Sequence, residues 1–265
     1  MEEEAKKKTW QDHGREWLDT LVVAISVAMC FRAYFYEPFN IPTGSMQTTL
    51  WGYHTVSGVE KGLWDTVPLS WLKWLWTGTK VVEYKAESNG SPRFQDRHDG
   101  WMNVQVGPSG DVFKLPTDAC RELAGRSFRK GDTIWRGAIV SGDFIFVNRW
   151  RWNFRRPKDG DVMIFATKGI KTLEDHLGGA STHYIKRMKA TPGETYELEH
   201  PAAYTGDFPL TAKHTWTMGG DEYFACGDNF NNSLDSRYWG TVPGANLRGT
   251  GDLVFWPFSG WRIIK

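Results

Sequence analysis

The segment EPFNIPTGSMQTTL, residues 37–50, follows directly on the long apolar run of the chain. Pro38 and Pro42 fix φ and bias the residues before them towards extended backbone, so an extended segment is expected here. Gly44 admits a close backbone approach, and Ser45 comes next. A serine held in stiff backbone after a glycine is a candidate nucleophile, although most Gly-Ser pairs are plain turns. Two further stretches bear on the choice: HYIKRMKATPGE at 183–194 and GDNFNNSLDSRYWG at 227–240.

On the amino side, residues 1–16 are polar and carry Lys6, Lys7, Lys8 and Arg15 ahead of LDTLVVAISVAMCF at 18–31. Trp17 at one end and Tyr34, Phe35 and Tyr36 at the other are placed as interface anchors. The run is short for a span of about 20 residues unless Asp19 and Arg32 reach outward. A buried core helix and a cleaved signal peptide are the alternatives. The second lacks a small-x-small cleavage site, and the candidate nucleophile lies just downstream. The expectation is an uncleaved single-pass anchor at 17–36, with 1–16 cytoplasmic and 37–265 outside. Roughly ten residues then separate the apolar run from Ser45, a reach of at most about 35 Å, which keeps the serine near the outer boundary of the bilayer.

The bulk composition narrows the partners. Lys+Arg of 32 against Asp+Glu of 31 leaves almost no net charge, so nucleic acid is not an expected partner. Fifteen Trp suit cores, peptide grooves and membrane interfaces alike. Frequent turn residues between short β-branched runs indicate a mainly β chain. Cys120 and Cys226 are able to pair in an oxidising compartment, but nothing in their spacing demands it, and free thiols are expected. With no Cys-x-x-Cys or His-x-x-x-His pattern, neither a metal nor another cofactor is expected.

A serine nucleophile needs a base and donors aimed at the developing oxyanion. His183 has no recognisable Asp-His-Ser arrangement around it and reads as a surface imidazole. Lysine serves instead only when neutral, and burial among apolar neighbours lowers its pKa by disfavouring the charge. Strand alternation through residues 184–188 puts Tyr184, Lys186 and Met188 on one face, the company a neutral lysine requires. Taken alone, Lys186 reads as an ordinary edge-strand lysine and Gly227-Asp228-Asn229 as a tight turn, while Thr43 is equally a turn-stabilising hydroxyl.

Together the apolar run, PTGSM at 42–46, GDFIFVNR at 142–149, RRPKDGDVMIF at 155–165, YIKR at 184–187 and the 227–240 stretch occur in the order of a known family. The chain resembles the type I signal peptidases, membrane-bound serine peptidases that remove signal peptides from exported proteins. The resemblance covers roughly half of the chain, and a set of motifs in one order is far more specific than any one of them. It implies a signal-peptidase-like β-sheet catalytic domain after the transmembrane helix, in a bacterial cytoplasmic (inner) membrane close to the secretion translocon. It implies Ser45 as nucleophile and Lys186 as general base, with Thr43 and the Ser45 N–H as oxyanion donors. Ser233 would hydrogen-bond the lysine, while Asp235 would pair with Arg237 and Arg187. Ile41, Ile185 and Phe39 would wall pockets that admit only small residues before the cleaved bond. Signal peptides of preproteins and the lipid bilayer are the implied partners.

Two departures stand out. The proline commonly found after the nucleophile motif is absent from Met46-Gln47-Thr48-Thr49-Leu50, and Phe230 stands where arginine is usual. Residues 51–141 are a β-rich insertion where the family commonly runs almost straight on. VPLSWLKWLWTG at 67–78 carries Leu69, Leu72 and Trp76 at near-helical spacing, plus Trp71 and Trp74. It reads either as an amphipathic helix in the membrane interface or as a helix packed on the protein's own core. The rival to an enzyme is a catalytically silent, membrane-tethered binding protein that uses this insertion.

Overall fold

The computed structural model describes residues 10–96, 101–176, 181–198 and 214–265. Helix α1 (Trp10–Tyr34) leads into strand β1 (Tyr36–Asn40), followed by a 3-10 turn at Gly44–Met46. Next come β2 (His54–Ser57), α2 (Leu69–Thr77), β3 (Thr79–Lys85), β4 (Pro92–Asp96) and β5 (Trp101–Val106). They are followed by β6 (Val112–Pro116), α3 (Thr117–Leu123) and β7 (Thr133–Val140). The chain continues with β8 (Phe144–Asn148), α4 (Arg151–Phe154), β9 (Val162–Ala166), α5 (Lys171–His176) and β10 (His183–Ala190). It then adds β11 (Thr195–Glu197), β12 (Thr215–Thr217) and β13 (Glu222–Cys226). It closes with α6 (Ser236–Trp239), β14 (Val242–Pro243), β15 (Leu247–Trp256) and β16 (Arg262–Ile263).

The expected mainly β architecture is present. The large antiparallel sheet runs β1-β8-β15-β9-β10-β13-β14, with β16 added beside β15. Its strands alternate as half-buried strands must: Ile145 and Val147 of β8 enter a core with Ile41, Val162, Ile164 and Val254, while Phe144 and Phe146 face the other way. The sheet curls, so that Phe39 of β1 meets His183 of β10 edge to face at 5.6 Å although the two strands are not paired.

Residues 51–141 form a subdomain with a core of their own. Two three-stranded sheets, β2-β7-β3 and β4-β5-β6, close with α3 over Val104, Leu115, Leu123, Ile134 and Trp135. The insertion is rooted beside the nucleophile segment. A Cβ on Gly52 would lie 2.3 Å from the Thr43 carbonyl carbon, and one on Gly142 would lie 2.1 Å from the Ile41 carbonyl oxygen. Only glycine permits backbones to approach so closely at the two ends of the insertion. Strands β11 and β12 pair antiparallel, and the residues between them, 199–213, lie outside the described residues.

Two boundaries differ from expectation. Helix α1 is long and apolar enough to cross a membrane over His13–Tyr34, at a mean hydropathy of 1.4 with none of that stretch buried. It ends two residues before the expected Tyr36, which joins β1 because its hydroxyl bonds Asp252 and the Asn148 amide across the sheet. The basic residues Lys6, Lys7 and Lys8 lie outside the described residues. Ser45, expected on extended backbone, sits instead in the 3-10 turn, with Thr43 before it still extended.

Candidate active site

Ser45 reaches its turn because the far end of the chain holds it there. The Asn229 N–H donates to the Ser45 carbonyl at 3.1 Å, and the Asn229 amide donates to the Gly44 carbonyl at 3.1 Å. Asp143 supports the same segment, accepting from the Trp51 N–H at 2.8 Å and from Arg262 at 2.6 Å; Arg262 also donates to the Thr49 carbonyl. The Gly-Asp and Gly-Asp-Asn motifs are thus the mount of the nucleophile turn. Asn229 and Asp143 were not expected in this role. The available signal was chemical: short polar side chains after glycine reach nearby backbone groups readily.

Lys186 stands where strand alternation puts it. Its β9 neighbour is Met163, its ammonium lies 5.7 Å from the Tyr184 ring, and Met188 follows on the same face. The side chain is 3% exposed, and its Nζ lies 2.7 Å from the Ser45 Oγ. Burial disfavours the ammonium and lowers the pKa to about 8 from 10.5; Asp235 and Cys226 oppose the fall, and Arg237 reinforces it. A hydroxyl and an amine at this distance can exchange a proton once the amine has lost its own. The Thr43 Oγ1 lies 3.4 Å from the Ser45 Oγ, close enough to share the site.

Asp235 and Arg237 form the expected pair, fully buried and doubly bonded: Nε donates to Oδ1 at 2.8 Å and Nη2 to Oδ2 at 2.7 Å. Asp235 also accepts from the Gly227 N–H at 2.9 Å and caps α6 through the Arg237 N–H. The guanidinium carbon of Arg237 lies 4.6 Å from the Phe230 ring centroid. Phe230, at the position where arginine is usual in the family, therefore packs against the buried cation.

Arg187 corrects the expectation. It pairs with Asp228 at 2.7 and 2.8 Å, not with Asp235, and donates to the Gly160 carbonyl and the Thr49 hydroxyl. Register explains this. Arg187 lies opposite Cys226, so the carboxylate two residues beyond Cys226 is the one in reach, while Asp235 is occupied by Arg237. Burial opposes ionisation of Asp228, but Arg187 and the Thr49 hydroxyl hold its carboxyl below the usual range. Ser233 is a second correction. It lies at the site, but its buried Oγ bonds no described residue, and the one hydrogen bond found for the Lys186 amine goes to Ser45.

Ile41, Phe39 and Ile185 are brought together in one cluster. Ile41 is buried beneath, with Phe39 and Ile185 half-buried against the same cluster, between β1 and β10. Among the described strands β1 pairs only with β8, leaving its other edge free beside this cluster. Cys30, Cys120 and Cys226 are free thiols.

Comparison with known proteins adds to this geometry. The family described as signal peptidase, peptidase S26, matches residues 136–212 and 199–256. The chain is 52% identical over 273 aligned residues to signal peptidase I of Buchnera aphidicola subsp. Acyrthosiphon pisum, covering 97% of this chain and 79% of that one. It is 48% identical over 256 residues to the protein of the same name from Buchnera aphidicola subsp. Schizaphis graminum, covering 91% and 75%. It is 30% identical over 128 residues to signal peptidase I of Leptolyngbya laminosa, a match that spans 62% of that relative's length. An alignment over 97% of the chain takes in the insertion, of which the family match covers only the end, from residue 136.

Proposed function

This chain belongs to the signal peptidase I family, and from that premise we propose that it is a membrane-anchored serine endopeptidase that removes N-terminal signal peptides from exported preproteins. The observation that carries the mechanism is the 2.7 Å contact between the Lys186 Nζ and the Ser45 Oγ, made inside a site where burial disfavours the ammonium. The neutral amine takes the hydroxyl proton as Ser45 attacks the scissile carbonyl. The Ser45 N–H and the Thr43 hydroxyl are the donors for the oxyanion, so the charge develops against groups already in place. Lys186 then returns the proton to the leaving amine, and a water deprotonated by the same lysine opens the acyl-enzyme.

The free edge of β1 offers backbone groups to an extended peptide, as strand addition requires. Such a peptide passes Ile41, Phe39 and Ile185, whose walls exclude large side chains beside the cut. Helix α1 serves as the single membrane span, with the basic amino end cytoplasmic and the sheet domain at the outer surface. The Lys186–Ser45 contact speaks against a catalytically silent binding protein.

The test is cleavage of a preprotein by the detergent-solubilised chain beside Ser45→Ala and Lys186→Ala. The expected result is cutting after a small-x-small site by the parent and none by either variant, each still folded. Equal cutting by the variants, or an inactive parent on several preproteins, would overturn the proposal.

A further inference from the structure

Helix α2 does two things at once. Trp74 packs inward on Trp256 at a ring distance of 4.9 Å, and the Trp256 indole N–H donates to the Leu75 carbonyl. At 100° per residue, Trp71, Leu75, Leu72 and Trp76 fall in a single arc on the other side. That arc is open: Trp71 is 70% exposed, Leu72 59% and Trp76 61%. Beside it Trp64, Val67 and Phe258 are also exposed. The one charge within the helix, Lys73, turns to Asp65 at 2.5 Å, a partner almost fully buried. Contiguous apolar surface of this kind marks an interaction site.

What covers it follows from its continuity with α1. Phe31 of α1 stacks on Tyr36 at 6.0 Å, and Tyr36 meets Phe146 at 6.2 Å. Phe146 stacks on Phe255 at 4.2 Å, Phe255 meets Phe144 at 6.2 Å, and Phe144 meets Trp256 at 5.0 Å. The last link is Trp74 of α2. One unbroken band of aromatic rings thus crosses the outer face of the sheet from the apolar helix to the tryptophan-rich one. Tyr36 and Asn40 lie opposite the two ends of β8, so the ends of the band are about 14 Å apart along the strands.

We propose that α2, an element of the inserted subdomain, is a second membrane-contact element, lying in the interface of the same bilayer that α1 crosses. This rests on the reading of α1 as a span. Tryptophan is suited to this depth because its ring is apolar and its N–H polar.

The test uses the full chain in vesicles of phosphatidylcholine and phosphatidylglycerol. In a Cys30→Ser background, Trp76→Cys or Lys130→Cys is labelled with an environment-sensitive dye; the buried Cys120 and Cys226 thiols, both pushed up by burial, do not compete. Lys130 is the control because it lies beyond the opposite end of β7 from Gly78, the residue that ends α2. Interfacial helices sit about 5–10 Å into the headgroup boundary, so a quencher carried on lipid should dim the Trp76 probe at least about twofold more than the Lys130 probe. Equal quenching of the two overturns the proposal. So does a blue-shifted Trp76 probe that lipid quencher leaves bright, because a protein then covers the arc. Resistance of the chain to alkaline carbonate extraction reports on α1 alone, and peptidase activity enters neither readout.

Discussion

The Lys186 Nζ and the Ser45 Oγ lie 2.7 Å apart, across 141 residues of sequence. With the lysine pKa at about 8, the proposed base is mostly protonated at neutral pH and mostly neutral above pH 9. The kcat/KM for a preprotein is therefore expected to rise about tenfold per pH unit below pH 8 and to level off above it. A profile flat from pH 6 to 9 would remove Lys186 from the role of base.

The same burial has a cost in stability. A buried ammonium disfavours the folded state, and the group's pKa is lower folded than unfolded. The penalty is absent above the unfolded pKa near 10.5 and complete once the pH has fallen below about 8. Lys186→Met should accordingly stabilise the protein by up to about 3 kcal/mol at pH 7 and by nothing at pH 11, at 1.36 kcal/mol per pKa unit. Thermal melting in detergent at the two pH values measures this, and equal shifts at both would contradict it.

Much of this was legible in advance, and the failures have causes. Strands β8, β9, β10 and β15 follow from β-branched and aromatic runs between turns, and Lys186 from alternation with Tyr184 and Met188. Strand β7 was not anticipated. Its burial runs through the adjacent pairs Ile134–Trp135 and Ala138–Ile139 without a clean alternation, so the period-two signal of a strand is missing. The 3-10 turn at Ser45 was hidden by the two prolines before it, since its conformation is imposed by Asn229. The choice of Asp228 over Asp235 as partner of Arg187 depends on the β10–β13 register, which no local pattern specifies.

The Asp235–Arg237 pair should act on the site in opposite directions. Asp235 favours the Lys186 ammonium and Arg237 disfavours it. Asp235→Asn is expected to move the rising limb of the pH profile to lower pH, and Arg237→Met to higher pH. Each also breaks a fully buried pair, for a loss of about 3–5 kcal/mol in chemical unfolding. Shifts of the same sign in both variants would separate the pair from the lysine.

Specificity should respond to the half-buried wall before the cut. Ile185→Ala removes bulk beside Ile41 and Phe39 at a place solvent already reaches. The fold should therefore tolerate it better than Ile41→Ala, which opens a buried cavity and costs about 2–5 kcal/mol. Competing preproteins with Ala or Val before the scissile bond give the readout. The Val substrate should gain on the Ala one by about 10-fold, the scale of one or two methylenes in a pocket. No change in the ratio would place the pocket elsewhere.

The nucleophile turn is sensitive at a residue that carries no side chain. A Cβ at Gly227 would lie 2.4 Å from the Ser45 carbonyl oxygen and 2.2 Å from the Ser233 Oγ. The Ser233 side chain can turn aside, but the Ser45 carbonyl is fixed by the Asn229 N–H, so relief requires the turn itself to move. Gly227→Ala should lower kcat about 100-fold, the effect expected of a misplacement near 1 Å at a reacting group. The overpacking should cost only about 1–3 kcal/mol in stability. Pairing it with Ser233→Gly should not restore activity, because the carbonyl contact remains. Gly220→Ala, where the added Cβ meets nothing within 4 Å, is the matched control and should cut at the parental rate. Parental activity in Gly227→Ala would show that the close packing of 227 on the Ser45 turn does not position the nucleophile.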